Sequence, residues 1–76
     1  MIQTYVSSSN LDVIGYQNGS LFVRFKNGGC YEYKKVPFTQ FDALQKVESA
    51  GKFLNSVIKP NFECVKLTTD PFVRAK

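Results

Sequence analysis

The stretch Leu21 to Lys35, LFVRFKNGGCYEYKK, limits what this chain can fold into more than any other. Apolar and polar residues alternate on both sides of Asn27-Gly28-Gly29, the pattern of a β-hairpin. Pairing decides the loop length. A two-residue loop at Asn27-Gly28 would set Val23 against Glu32 and Leu21 against Lys34, which puts charge on the buried face. A three-residue loop over Asn27 to Gly29 sets Phe25 against Tyr31, Val23 against Tyr33 and Arg24 against Glu32. Such cross-strand pairs are worth roughly 0.2–1 kcal/mol each, and Gly29 can supply the left-handed residue this loop needs. The three-residue loop is therefore expected.

The rest of the sheet is read outward from this ribbon. Ile2 to Val6 is short and β-prone, a candidate edge strand. In Ser7-Ser8-Ser9-Asn10 the hydroxyls either contact phosphate or bond nearby backbone, and the second is ordinary turn chemistry. Leu11 to Tyr16 is the next strand, and Asn18-Gly19 is a favoured pair for a tight type I′ turn. Counting back from that turn sets Tyr16 against Leu21 and Ile14 against Val23. One face then carries Ile14, Tyr16, Leu21, Val23, Phe25, Tyr31 and Tyr33. The other carries Leu11, Val13, Phe22, Arg24, Lys26, Cys30, Glu32 and Lys34.

Val36-Pro37 ends the sheet. A first helix begins between Pro37 and Gln40; Pro37 suits a first helical position, and Thr39 with Asp42 resembles a capping box. Phe38, Phe41, Leu44 and Val47 form its apolar stripe. Ser49 to Ile58 reads as a second short helix with Ser49 as N-cap and Pro60 as terminator. Phe62 to Leu67 alternates and can add a final strand. The expected fold is α+β: a three- to five-stranded antiparallel sheet with two short helices packed on one face. Residues 1–67 form the domain, and residues 68–76 a loosely ordered C-terminal tail unless docked through Phe72 and Val73.

Composition bounds the function. A 76-residue chain buries only about 60% of its unfolded surface, for a stability of about 4–11 kcal/mol. Ten Lys and Arg against six Asp and Glu give a net charge of +4, which suits nucleic acid, an acidic protein or a membrane surface alike. No apolar run approaches the ~18 residues of a membrane span, and no secretory leader is evident. A cytoplasmic location follows as the expectation, with Cys30 and Cys64 as free thiols, although a disulfide between them is geometrically conceivable. His is absent, so the commonest metal ligand and general base are missing. The six carboxylates fall on different elements, and neither cysteine has a histidine partner. No catalysis, metal or cofactor is expected.

The segments SSSNLDVIGY, LFVRFKNGGCYEY, VP before a helix and SAGKFLNSVIK, in that order, resemble the KTSC domain over roughly residues 6 to 62. That domain is named for its occurrence at the C-terminus of some lysyl-tRNA synthetases and also stands alone in bacteria and phages. Tyr31-Glu32-Tyr33 sits where the family carries a central Tyr-x-Tyr. The resemblance implies a small α+β domain with an RNA-binding role.

Three candidate sites follow. The first is the sheet face away from the helices, where Arg24, Lys26 and Lys34, with Lys35 beyond, surround Phe22. Cations there would neutralise phosphates, and an aromatic can stack a base for ~1–3 kcal/mol. The alternative is that Phe22 packs with Leu11 and Val13 beneath another element, leaving the cations as a solvated rim. The second is the family pair Tyr31 and Tyr33, which this register makes half-buried core with hydroxyls at the margin. The third is Ser49-Ala50-Gly51-Lys52, where exposed amides at a helix start and Lys52 would suit a phosphate; otherwise Lys52 points to solvent. The leading function is a small RNA-binding module acting through the basic Phe22 face. A protein-interaction module, such as a phage-encoded regulator docking on an acidic host protein, is the alternative. A monomer is favoured over a dimer paired through an edge strand.

Overall fold

A computed structural model describes residues 2–6 and 10–72 of the chain. Five strands form one antiparallel sheet in sequential order. They are β1 (Ile2–Tyr5), β2 (Leu11–Gln17), β3 (Ser20–Phe25), β4 (Cys30–Tyr33) and β5 (Cys64–Leu67). Between β4 and β5 the chain leaves the sheet to form α1 (Phe38–Lys46) and α2 (Ala50–Phe53), which runs on into a π-helical turn over Leu54–Ile58. This is the expected architecture, with both candidate edge strands present. Ser7 to Ser9 and Val73 lie outside the described residues.

The β2–β3 turn is as anticipated. Asn18 (φ 52°) and Gly19 (φ 79°) are both left-handed, as a type I′ turn requires, and Tyr16 faces Leu21 while Ile14 faces Val23. The β3–β4 hairpin corrects the expected register. Val23 faces Tyr31, Leu21 faces Tyr33 and Arg24 faces Cys30. The loop still has three residues, but they are Lys26, Asn27 and Gly28, closed by Phe25 N–H donating to the Gly29 carbonyl at 2.8 Å and Gly28 N–H donating to the Phe25 carbonyl at 2.9 Å. Gly28, at φ 96°, supplies the left-handed residue in place of Gly29. Moving the loop back by one residue shifts the pairing by two, so every side chain keeps its face.

A bulge between Leu11 and Val13 breaks the β2 alternation. One extra residue there sends Leu11 to the helix side and leaves Val13 on the opposite side, and both are buried. Leu11 thus leaves the face on which strict alternation put it.

The core lies between the sheet and the helices. Leu11, Ile14, Leu21, Val23 and Tyr33 meet Phe41, Leu44, Leu54 and Ile58 there. Tyr16 packs against Phe38 and Phe41 at ring separations of 5.4 and 5.5 Å. Its hydroxyl donates to the Val36 carbonyl at 2.7 Å, fixing the exit from β4. The helix starts are plainer than expected. Pro37 occupies the N-cap of α1 and Ser49 that of α2, and neither provides a side-chain cap. Asp42 instead accepts a salt bridge from Lys46 at 2.9 Å. Cys30 and Cys64 are both free; they pair with Leu67 and Tyr33 respectively in the β4–β5 ladder, so the alternation of the two strands puts their side chains on opposite faces.

Candidate nucleic-acid interface

The helices cover the sheet's inner face over β2 and β3 and leave its β4–β5 end open. A groove of about 550 Å³ opens there. Phe25 and Tyr31 line its floor as an edge-to-face pair, 5.5 Å between centroids at 84°. Asn27 reaches it from the hairpin loop, Lys66 from β5, and Asn55 and Lys59 from the far side. Asn55 lies within the π-helical turn and Lys59 directly after it. A π turn is uncommon and recurs at functional sites.

The electrostatics of this groove are one-sided. Among the described residues no carboxylate lines it. Lys59 and Lys66 are both exposed, and among the described residues neither enters an ion pair. Tyr33 forms the buried inner wall. Burial pushes its hydroxyl well above the ordinary tyrosine value, and the neighbouring Cys64 thiol adds to the rise. Tyr33 therefore stays a neutral phenol and Tyr31 remains the accessible ring of the pair.

The opposite sheet face is arranged differently. The bulge aims Asp12 at Arg24, whose Nε and Nη2 donate to one carboxylate oxygen at 3.1 and 2.8 Å. Nη1 donates to Asp70 at 2.5 Å, and the guanidinium lies 5.6 Å from the centre of the Phe72 ring. Burial disfavours the charge on Arg24, but the bonds to Asp70 and Asp12 outweigh it and hold the guanidinium above its ordinary value. Asp70 also accepts the Phe72 N–H at 2.9 Å, and Phe72 is 5% exposed. The segment after β5 is thus docked on this face through Phe72. Glu32 sits opposite Phe22 and accepts the Ser20 hydroxyl at 2.8 Å.

Comparison with known proteins identifies the architecture. Residues 7–62 match the KTSC domain. The chain belongs to the KTSC domain family. It is 41% identical over 64 residues to a protein of Tsukamurella paurometabola, covering 82% of this chain and 96% of that one. It is 36% identical over 62 residues to an uncharacterised protein of Stutzerimonas stutzeri, covering 79% and 87% respectively. The crystal structure of a KTSC domain protein from Yersinia pestis superposes with a TM-score of 0.80 at 36% identity, over 86% of this chain and 94% of that one. No described helix is long and apolar enough to cross a membrane.

Set on this KTSC domain, the expected site residues separate. Arg24 is committed to two carboxylates and is not a free cation. Lys26, at the hairpin loop, and Lys34 and Lys35, after β4, are exposed but stand at opposite ends of the ribbon, about 20 Å apart along the strands at ~3.3 Å per residue. Asp12, Glu32 and Asp70 lie on or beside the face they were expected to form. The structure therefore corrects the expected basic patch around Phe22: that face is charge-balanced and Phe72 docks on it beside Arg24, while Leu11, the expected packing partner of Phe22 there, lies on the helix side. The Ser49-Gly51-Lys52 site does not assemble, because Ser49 makes no cap bond and Gly51 is buried; Lys52 is exposed. Of the family pair, Tyr31 joins the groove as its accessible aromatic and Tyr33 as its buried wall. Asn27, Asn55, Lys59 and Lys66 were missed by sequence reasoning. Only the alternation of β5, which puts Lys66 on the face of Tyr31, was there to be read. Lys66 also lies beyond the residues matched to the family, so this wall of the groove is supplied from outside the matched segment.

Proposed function

We propose that this KTSC domain protein is a binding module for single-stranded RNA, acting through the Tyr31 groove. The observation that carries the reading is a half-buried aromatic pair, Phe25 and Tyr31, lining a groove with two lysines that, among the described residues, have no ion-pair partner and no acidic neighbour in the lining. Stacking platforms combined with cations are how proteins hold single strands, because every base has a π-face and every linkage a phosphate. A groove of about 550 Å³ falls in the range of small-molecule sites and takes a nucleotide or two. The mechanism is binding alone: Lys59 and Lys66 neutralise phosphates while Tyr31 receives a base.

The test is fluorescence anisotropy with labelled single-stranded RNA at low salt, repeated with Tyr31→Ala. Binding that weakens steeply with added salt and drops roughly tenfold in the variant supports the reading. No binding at low salt ends it. A lysate pull-down with and without nuclease separates the alternative, since an acidic protein partner would be retained after nuclease treatment.

A further inference from the structure

Asn27 carries more information than its place in a loop suggests. Its Oδ1 accepts the Gly29 N–H at 2.9 Å. A backbone N–H can only donate, so the side-chain oxygen must face it and the amide nitrogen must face away. The orientation is set by chemistry. The loop holding it is closed by two further backbone bonds, Phe25 N–H to the Gly29 carbonyl at 2.8 Å and Gly28 N–H to the Phe25 carbonyl at 2.9 Å. The polar group Asn27 has left for a ligand is therefore its NH₂, held on a fixed loop at the rim of the groove. Lys59 and Lys66 can likewise only donate. Among the described residues no carboxylate lines the groove, so the side-chain acceptors there are neutral ones, the Asn55 amide oxygen and the tyrosine hydroxyls.

We propose that the groove selects an unpaired keto base, with the Asn27 NH₂ donating to the carbonyl that replaces an amino group on its pairing edge, O4 of uracil or O6 of guanine. This rests on the RNA-binding reading and adds base selectivity to it. Uracil and cytosine isolate the point. They have the same ring size, much the same stacking face and the same 2-carbonyl, and differ on one edge, where uracil has a 4-carbonyl beside an N3–H and cytosine a 4-amino group beside an acceptor N3. A carbonyl accepts from the Asn27 NH₂. An amino group sets donor against donor and leaves both unpaired. Base-edge contacts of this kind discriminate at the level of roughly 1–3 kcal/mol when bidentate; a single contact in an open groove belongs at the low end, about five- to tenfold.

The experiment compares short single-stranded oligo(U) and oligo(C) at one low salt concentration, with the parent chain and with Asn27→Asp. The aspartate keeps an oxygen for the Gly29 N–H and replaces the donor with an acceptor. The expected result is five- to tenfold tighter binding of oligo(U) by the parent, with the preference lost or reversed in Asn27→Asp. The added negative charge weakens both complexes, so the ratio is the readout. Should Asn27→Asp not fold, the same ratio is read from Asn27→Ala, where it should fall to about one. Equal binding of oligo(U) and oligo(C) by the parent overturns the selectivity and leaves RNA binding standing. A preference that survives both substitutions overturns the role of Asn27. Binding of neither oligonucleotide overturns the functional reading itself.

Discussion

Removing the two groove cations should change how binding responds to salt more than it changes the fold. Lys59 and Lys66 are exposed and have no ion-pair partner among the described residues, so Lys59→Gln with Lys66→Gln removes charge without stranding a carboxylate. On a single strand each neutralised phosphate contributes about 0.7 to the slope of log affinity against log salt. Two lysines therefore account for about 1.4. Over a fourfold rise in salt, from about 50 to 200 mM, that share amounts to an affinity loss of about sevenfold. The parent should lose about seven times more affinity than the double variant over that interval. Anisotropy titrations at four or five salt concentrations give both slopes, and urea denaturation of each protein checks that stability is unchanged. Lys46→Gln is the control. Lys46 lies on α1, outside the groove, and is already paired with Asp42 at 2.9 Å, so its loss should leave the slope as it was. A double variant with the parent slope, or a Lys46→Gln slope reduced by as much, would refute the assignment of phosphate contacts to this groove.

The docked segment after β5 should be worth measurable stability. Phe72 is 5% exposed, and Phe72→Ala should cost about 3 kcal/mol, within the range for a buried phenylalanine. Asp70→Asn should cost about 1 kcal/mol, since Asp12 still holds Arg24. Urea midpoints measure both; a Phe72→Ala midpoint equal to the parent's would mean the segment contributes nothing. Tyr33 gives the alkaline limit. Its folded value is raised by burial and by the Cys64 thiol, so the stability it contributes is fully present below the unfolded tyrosine value of about 10 and is lost as pH rises above it. Lysines titrate in the same range, so the informative quantity is the difference between the parent and Tyr33→Phe. From about pH 9 to 11 the parent should lose stability faster, and parallel curves would show that Tyr33 does not titrate with folding.

Which features were legible follows from how far each signal travels along the chain. The face of every residue in the β3–β4 ribbon could be read because side-chain facing has a period of two, and the error made in the hairpin was a shift of two. Phe25 and Tyr31 illustrate this. They were expected to stand directly opposite, they are offset instead, and their rings still meet at 5.5 Å. What placed the loop one residue earlier was local hydrogen bonding, Asn27 to Gly29, which a comparison of cross-strand side chains does not weigh. The bulge was harder to read. Strict alternation puts Leu11 and Val13 on one side, and nothing in the spacing says that an extra residue lets both be buried on different ones. Net charge failed for a related reason. Arg24 was counted as a free cation because its partners are 12 and 46 residues away. A count of charges has no term for compensation across such distances. Once Arg24 is balanced by Asp12 and Asp70, the uncompensated positive charge among the described residues belongs to lysines. Lys59 and Lys66 are the two of these that line a groove containing the half-buried aromatic pair Phe25 and Tyr31. The same double ion pair that removes Arg24 from the candidate interface holds Asp70 against the sheet, with Phe72 docked beside it. The long-range contact that emptied the expected site thus also tethers the segment after β5, the strand that supplies Lys66 to the groove.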